Sequence, residues 1–135
     1  MPTTRTERLE IRSSDDVVKV RQQTRTLAVD AGLSLVDQTK IITAASELAR
    51  NTLDYGGGGV AQLDVIEDGG RRGLRLTFED RGPGIADVAQ AMRDGFTTGS
   101  GLGLGLGGAK RLSNEFAIES KPGAGTKVSI ARWKA

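Results

Sequence analysis

The sequence predicts an α+β fold, a two-layer sandwich folded as one domain over residues 1–135. Three observations predict it. Leu74, Leu76 and Phe78 alternate with Arg75, Thr77 and Glu79, the period-two pattern of a strand with one buried face. Residues 35–55 read as a helix that is apolar over more than half of its circumference, as a helix buried in a layer must be. Helices and strands otherwise succeed one another without the regular βα alternation of a doubly wound sheet.

At 135 residues the chain can bury one core but not two. Aromatic residues make up only 4%, so Leu, Ile, Val and Ala must supply most of that core. A balance of 19 basic against 17 acidic residues is no nucleic-acid signature. There is no Cys and no His. Their absence excludes disulfides, thiolate nucleophiles, zinc held by Cys or His, Ser-His-Asp catalysis and a phosphohistidine on this chain. Chemistry must therefore come from carboxylates, amides, hydroxyls, Lys, Arg or a bound ligand. Residues 1–7 lack the apolar core of a signal peptide, and no apolar run approaches membrane-spanning length. The expectation is a soluble, cytoplasmic protein with neither a membrane nor a nucleic acid as partner.

In chain order, Leu9 and Ile11 among charged neighbours suggest a first strand over residues 5–12. Ser13 or Ser14 can cap a helix whose first turn carries Asp15 and Asp16, favourable near the positive end of the helix dipole. Val17, Val20, Thr24, Leu27 and Ala31 recur at helical spacing along it, and Gly32 stands where a C-terminal cap belongs. Ser34 and Asp37 resemble a capping box that opens the second helix. On that helix Ile41, Ala45, Leu48, Ala49 and Thr52 form the apolar arc, leaving a narrow polar stripe of Lys40, Thr43, Glu47, Asn51 and Asp54. Glu47 and Asn51 lie one turn apart, and the stripe faces either bulk solvent or a wet cleft.

Gly56 to Gly59 end the helix; Ala61, Leu63 and Val65 make the second strand, and a glycine-rich hairpin at 68–73 leads into the third. The alternation of that third strand places Asp80 on the same side as Leu74, Leu76 and Phe78. A carboxylate facing inward is costly unless a donor meets it, and Gly82-Pro83-Gly84 then breaks the strand. Asp80 reads as the floor of a ligand pocket, although an Asp-x-Gly-Pro-Gly string on its own more often caps its own turn. Residues 85–94 can form a short helix, 99–108 a glycine-rich loop and 109–114 a helix. Phe116, Ile118 and Ser120 alternate as a strand, and Thr126, Val128 and Ile130 as the last one, with Thr126 on the core side.

Gly103, Gly105 and Gly108 formally satisfy G-x-G-x-x-G, but no strand leads into them and no acidic residue follows at the required distance. A phosphate-binding Walker loop is absent too, because Lys110 follows Ala109 and no hydroxyl comes next. What remains is a glycine-rich segment running into a helix, whose free N–H groups suit phosphate. The Leu residues interleaved with the glycines need somewhere to pack, which argues against a solvated linker.

Taken together, these pieces resemble the GHKL superfamily with its Bergerat nucleotide-binding fold. Residues 47–51, Glu-Leu-Ala-Arg-Asn, look like its N box, residues 80–84, Asp-Arg-Gly-Pro-Gly, like its first glycine box, and residues 99–108 like its second. Within it, residues 43–51, Asp94-Gly95-Phe96 and the end near Trp133 look like the RsbT switch-kinase branch of the anti-sigma-type serine/threonine kinases. The resemblance implies a mixed sheet with helices on one face, and ATP and Mg²⁺ as cofactors. It implies that Asn51 coordinates Mg²⁺, that Asp80 accepts the adenine amine with help from Thr126, and that Gly82 and Gly84 let the base approach. Residues 85–107 would form a lid in which Gly101, Gly103 and Gly105 contact phosphate. Glu47 would take the proton from the acceptor hydroxyl. The glycine box is one Gly-Leu step longer than usual, which leaves open which of its glycines touch phosphate.

The function so implied is a protein serine/threonine kinase that phosphorylates a STAS-domain partner, as a partner-switching regulator of bacterial stress signalling that also activates a PP2C-type phosphatase. The alternative is an anti-sigma factor that sequesters a sigma factor in a nucleotide-dependent way. A bare ATP hydrolase or sensor-kinase domain is the weakest reading, since nothing in the chain supplies dimerisation helices or a phosphorylatable His.

Overall fold

In this computed structural model, residues 3–84 and 105–134 are described. Strand β1 (Thr3–Ile11) is followed by helices α1 (Ser14–Asp30) and α2 (Leu35–Asp54), then by strands β2 (Gly59–Asp68) and β3 (Arg71–Asp80). A short helix α3 (Gly105–Arg111) precedes strands β4 (Glu115–Lys121) and β5 (Gly125–Trp133). The strands form one sheet in the order β1-β2-β3-β5-β4. Side chains of all three described helices join those of the sheet in the main core, which includes Ile11, Val20, Leu27, Ile41, Leu48, Leu63, Leu76, Phe78, Leu106 and Ile130. The α+β two-layer sandwich is therefore present.

Among the described residues every strand pairing is antiparallel, so the expected mixed sheet is not seen there. The connectivity gives the reason. Two helices, not one, lie between β1 and β2, so the chain reverses three times between them and β2 runs opposite to β1. β2 and β3 form a hairpin, and β4 and β5 another.

Local chemistry explains most element ends. Strand β1 stops at Ile11 because the Arg12 N–H is taken by the Asp16 carboxylate at 2.8 Å. Ser13 occupies the N-cap position but makes no side-chain capping bond; its carbonyl accepts the Asp16 and Val17 N–H groups, while the Asp16 carboxylate reaches back to Arg12. The expected residues of α1, Val17, Val20, Thr24, Leu27 and Ala31, are all buried. On α2 the Ser34 hydroxyl accepts the Asp37 N–H at 3.2 Å, as the capping pattern requires. The hairpin between β2 and β3 is tighter than the sequence suggests. Asp68 pairs with Arg71, and the two intervening glycines, Gly69 and Gly70, have φ of 57° and 83°, the geometry of a type I′ turn.

Helix α3 begins four residues earlier than the composition suggests, and Gly105, Gly107 and Gly108 lie inside it. Glycine is a poor helix former, costing about 1 kcal/mol relative to Ala. Burial of Leu106 and Ala109 in the core outweighs that cost here. The expected lid over residues 85–107 is corrected at its end, since residues 105–107 are helical; the remainder of it, and the short helix at 85–94, lie outside the described residues.

One long-range ion pair ties the layers together. Asp37, in the first turn of α2, accepts hydrogen bonds from Arg132 Nη2 at 2.8 Å and Nε at 3.1 Å, while Arg132 Nη1 reaches the Leu112 carbonyl beyond α3 at 3.4 Å. Both side chains are largely buried. The Arg132 hydrogen bonds hold the Asp37 carboxyl below its ordinary pKa, against the opposing effect of burial. A depressed native pKa contributes stability that is complete above the ordinary carboxylate value and is lost as pH falls through the native one. Urea unfolding should therefore show a constant gap between wild type and Asp37→Asn from about pH 6 to 8, closing below about pH 4. Arg132→Met should cost about 2–4 kcal/mol at neutral pH, because it strands the carboxylate in a partly buried site.

Candidate functional site

The inward parity of Asp80 is realised. Across β3 and β5, Leu76 faces Ile130, Phe78 faces Val128, and Asp80 faces Thr126. Across β5 and β4, Thr126 in turn faces Ser120. Three polar side chains thus stand in a row at one end of the sheet, on the face that elsewhere carries the core. Ser120 and Thr126 are joined hydroxyl to hydroxyl at 2.8 Å. A hollow of about 770 Å³ is lined by Asp80, Arg81, Ser120 and Thr126 among others, and a second of about 620 Å³ by Asp80, Arg81 and Gly56 to Gly59. Asp80 belongs to both.

Asp80 is half-buried, and its pKa is raised, first by desolvation and also by the neighbouring Glu79 charge. The backbone N–H groups of Gly82 and Thr126 act in the opposite direction. The Gly82 N–H lies 2.8 Å from Asp80 Oδ1. The turn-capping reading and the inward parity of Asp80 are thus both present: one oxygen accepts from the Gly82 N–H, and the side chain keeps the core-facing register.

The Gly-Pro-Gly turn has packing reasons of its own. A side chain at Gly82 would lie 2.6 Å from the Gly56 Cα and 3.0 Å from the Tyr55 carbonyl, so the turn can lie flat against the end of α2 only as glycine. Gly84 has φ of 76°, and a side chain there would run into the Lys121 carbonyl. The Gly123 N–H bonds the Pro83 carbonyl at 2.7 Å, which ties the turn to the β4–β5 hairpin. Close backbone approach within the protein accounts for both glycines.

Helix α2 brings the polar stripe to the same end of the molecule. A side chain at Gly56, two residues past the helix end, would collide with the Asp80 side chain, so the C-terminal end of α2 rests directly on Asp80. Asn51 lies in the last full turn, its carbonyl bonded to the Tyr55 N–H. Most of the stripe is withdrawn from bulk solvent: Glu47 is only 4% exposed, and Lys40, Thr43 and Asn51 are half-buried, while Asp54 at the helix end is exposed. Neither Glu47 nor Asn51 lines the two hollows around Asp80. Gly105 is the first residue of α3, whereas Gly101 and Gly103 lie outside the described residues. Sequence reasoning read Ser120 only as a strand residue. Its parity with Phe116 and Ile118 signalled the inward face, but its bond to Thr126 depends on a register that no local pattern shows.

Among the described residues no helix is long and apolar enough to cross a membrane. The family model for the histidine kinase-, DNA gyrase B-, and HSP90-like ATPases matches residues 36–135, which takes in α2, β3 and β5 with all the side chains just described. The serine/threonine-protein kinase RsbT of Bacillus subtilis (strain 168) is 46% identical over 118 residues, covering 87% of this chain and 89% of that one. An anti-sigma F factor of Geobacillus sp. (strain WCH70) is 31% identical over 103 residues, covering 70% and 68%. Among solved structures, that of the RsbU and RsbW domains of a Mycobacterium tuberculosis protein matches with a TM-score of 0.66 at 22% identity, over 96% of this chain and 32% of the other. The SiaB–SiaC complex of Pseudomonas aeruginosa matches with a TM-score of 0.55 at 13% identity, over 97% and 90%. These last two likenesses concern the fold. On the family match and the 46% identity, the chain belongs to the histidine kinase-, DNA gyrase B-, and HSP90-like ATPase family.

Proposed function

We propose that this protein is an ATP-dependent serine/threonine kinase whose substrate is a STAS-domain protein, and that it works as a partner-switching regulator with a PP2C-type phosphatase as a downstream partner. The observation that carries the reading is the inward-facing Asp80, paired with Thr126 beneath the end of the helix that bears Glu47 and Asn51. The 46% identity to a serine/threonine kinase supports the activity.

Asp80 and Thr126 form the floor for adenine, with the carboxylate accepting the exocyclic amine. Asn51 suits Mg²⁺ by chemistry, since an amide oxygen is a hard ligand. Among the described residues no cluster of three carboxylate, His or Cys side chains could hold a metal alone, which fits an ion that completes its shell with phosphate oxygens and water. When bound, the ion would offset the charge of the phosphates. Glu47 accepts the proton of the incoming Ser or Thr hydroxyl as its oxygen bonds the γ-phosphorus and the bond to the leaving ADP oxygen breaks. Its burial keeps water away from that proton transfer. Sequestration of a sigma factor is the second reading, favoured by the 31% relatives named anti-sigma F factor.

The floor residue should show opposite effects on stability and binding. Because burial raises the pKa of Asp80, its ionised form costs native stability above that pKa, and the cost is relieved on acidification. Asp80→Asn should therefore raise the melting temperature of the free protein at neutral pH, by an amount that shrinks as pH falls. The same variant should bind ATP about 1–3 kcal/mol more weakly by calorimetry. Unchanged ATP affinity would rule out Asp80 as the floor.

Glu47 and Asn51 should separate by function. Asn51→Ala should lose Mg·ATP binding and phosphate transfer together. Glu47→Gln should bind Mg·ATP near the wild-type affinity but transfer phosphate to a STAS partner roughly 10²–10⁴ times more slowly. Transfer by Glu47→Gln at the wild-type rate would remove Glu47 from the chemistry, and an undetectable wild-type transfer with tight sigma-factor binding would favour the sequestering reading.

A further inference from the structure

Three large aliphatic side chains stand exposed at the opposite end of α2 from Asp80, and neither capping nor the core accounts for them. Val29, near the end of α1, is 55% exposed, and Leu35 and Val36, in the first turn of α2, are 77% and 64% exposed. Capping of α2 needs only Ser34 and Asp37, and a β-branched Val adds nothing to helix propensity. The core takes its share of this corner from Ala31 and Leu33, both buried. The three exposed side chains form one patch. Helices α1 and α2 pack as a hairpin joined by residues 31–34, and at its open end Arg50 Nη1 donates to Ser14 Oγ at 3.2 Å. Antiparallel helices rise equally per residue, so stepping the same number of residues along each from that contact brings Val29 level with Leu35.

The rim of the patch is cationic. The Lys134 side chain runs past Gly32, its Cδ and Nζ each 3.4 Å from where a side chain at Gly32 would begin. Lys40 lies one turn beyond Val36, and Arg25 one turn before Val29. The acidic side chains on these segments, Asp30 and Asp37, are taken by Arg5 and Arg132. Neither Arg25 nor Lys134 has a carboxylate partner among the described residues.

We infer that this corner is a docking surface for an amphipathic helix of a partner protein, with aliphatic residues on one face and carboxylates beside them. The aliphatic face covers Val29, Leu35 and Val36, and the carboxylates meet Lys134 and Arg25. A second copy of this chain fits poorly, because it would set the same cations face to face. A lipid surface fits poorly too, since none of the three is an aromatic residue of the kind that anchors at a membrane interface. Helix α2, 20 residues long, sets the corner about 30 Å from Gly56 and Asp80. A partner held there leaves the Asp80 end open, so its docking is independent of nucleotide and does not rest on the function proposed above.

The test measures the binding of labelled synthetic peptides to the full chain by fluorescence anisotropy. The probe is a helix-forming peptide with Leu at positions i, i+3, i+4 and i+7 and Glu on both flanks. The controls are a scrambled peptide of the same composition and a version with Lys in place of Glu. The acidic amphipathic peptide should bind wild type more tightly than either control. Leu35→Ser/Val36→Ser alters only exposed side chains, so it should keep the wild-type melting temperature and weaken binding about tenfold or more. Lys134→Glu should weaken binding of the acidic peptide and strengthen that of the Lys version. Saturating Mg·ATP should leave the affinity unchanged. Equal binding of the scrambled peptide, or an affinity that neither variant changes, would overturn the inference. So would competition by Mg·ATP, which would place the peptide at the Asp80 end. Flotation with phosphatidylglycerol vesicles, or self-association in sedimentation velocity, that Leu35→Ser/Val36→Ser abolishes would assign the patch to a lipid surface or to a second copy instead. Wild type that binds the peptide but no ATP would overturn the function proposed above and leave the docking surface standing.

Discussion

A carboxylate in the core-facing register of the central strand is the constraint on which the rest of this structure turns. Asp80 continues the alternation of Leu74, Leu76 and Phe78, so the sheet itself aims it inward. Leaving it there unpartnered would be costly, and the surrounding backbone reduces the cost without removing it. Two N–H groups, from Gly82 and Thr126, face the carboxylate, and its pKa is raised all the same. The fold has kept a side chain that disfavours it, next to glycines that let the end of α2 and the Gly-Pro-Gly turn close around it. A donor supplied from outside would relieve that cost, which is the physical ground for the function proposed above.

The opposite face of the sheet shows how the same chemistry looks when it is fully satisfied. Asp64 on β2 is more buried than Asp80, at 1% exposed. Thr6 donates to it at 2.9 Å, Gln62 at 3.3 Å and Arg75 at 3.4 Å, so strands on both sides supply donors. Nearby, Ile66, Ala131 and Trp133 make a small second cluster on that face, with the Arg71 guanidinium 4.3 Å above the Trp133 ring. A buried carboxylate surrounded by side-chain donors and one facing a hollow are different objects, although the sequence presents both as an Asp within a strand.

What was legible in the sequence was whatever depends on local period. The alternation of β3 and β5 put Asp80 and Thr126 on the core side, and the helical spacing in α1 found Val17, Val20, Thr24 and Leu27 of its buried face while missing Ala28. What depends on partners far along the chain was not legible. Asp37 read as half of a capping box, yet its carboxylate goes to Arg132, 95 residues away. The start of α3 was missed because local propensity disfavours its glycines, whereas the burial of Leu106 and Ala109 decides the matter. Ile66 sits at a polar-parity position of β2, and only the presence of Trp133 across the sheet makes it core. The site divides in the same way: its residues could be named from pattern and resemblance, but the order Asp80–Thr126–Ser120 needed the strand order β3-β5-β4, in which the last strand inserts between two earlier ones.

That insertion has a consequence for how the site is held. The chain leaves the sheet at Asp80 and comes back through β4 and β5 to place Thr126 directly opposite. At the point of departure, Pro83 accepts the Gly123 N–H, Gly84 packs on the Lys121 carbonyl, and Gly125 lies against the Asp80 carbonyl. Departure and return are thus fastened to each other by backbone contacts rather than by side chains. Arg132 fastens the far side, joining β5 to the first turn of α2 and to the carbonyl just beyond α3. The closure entropy of the long excursion between β3 and β4 is met by these contacts and by the core, so it is charged to folding. On the proposed function, a ligand over Asp80 would meet three polar side chains already in register, and its binding energy would act on orientation rather than on assembling the site.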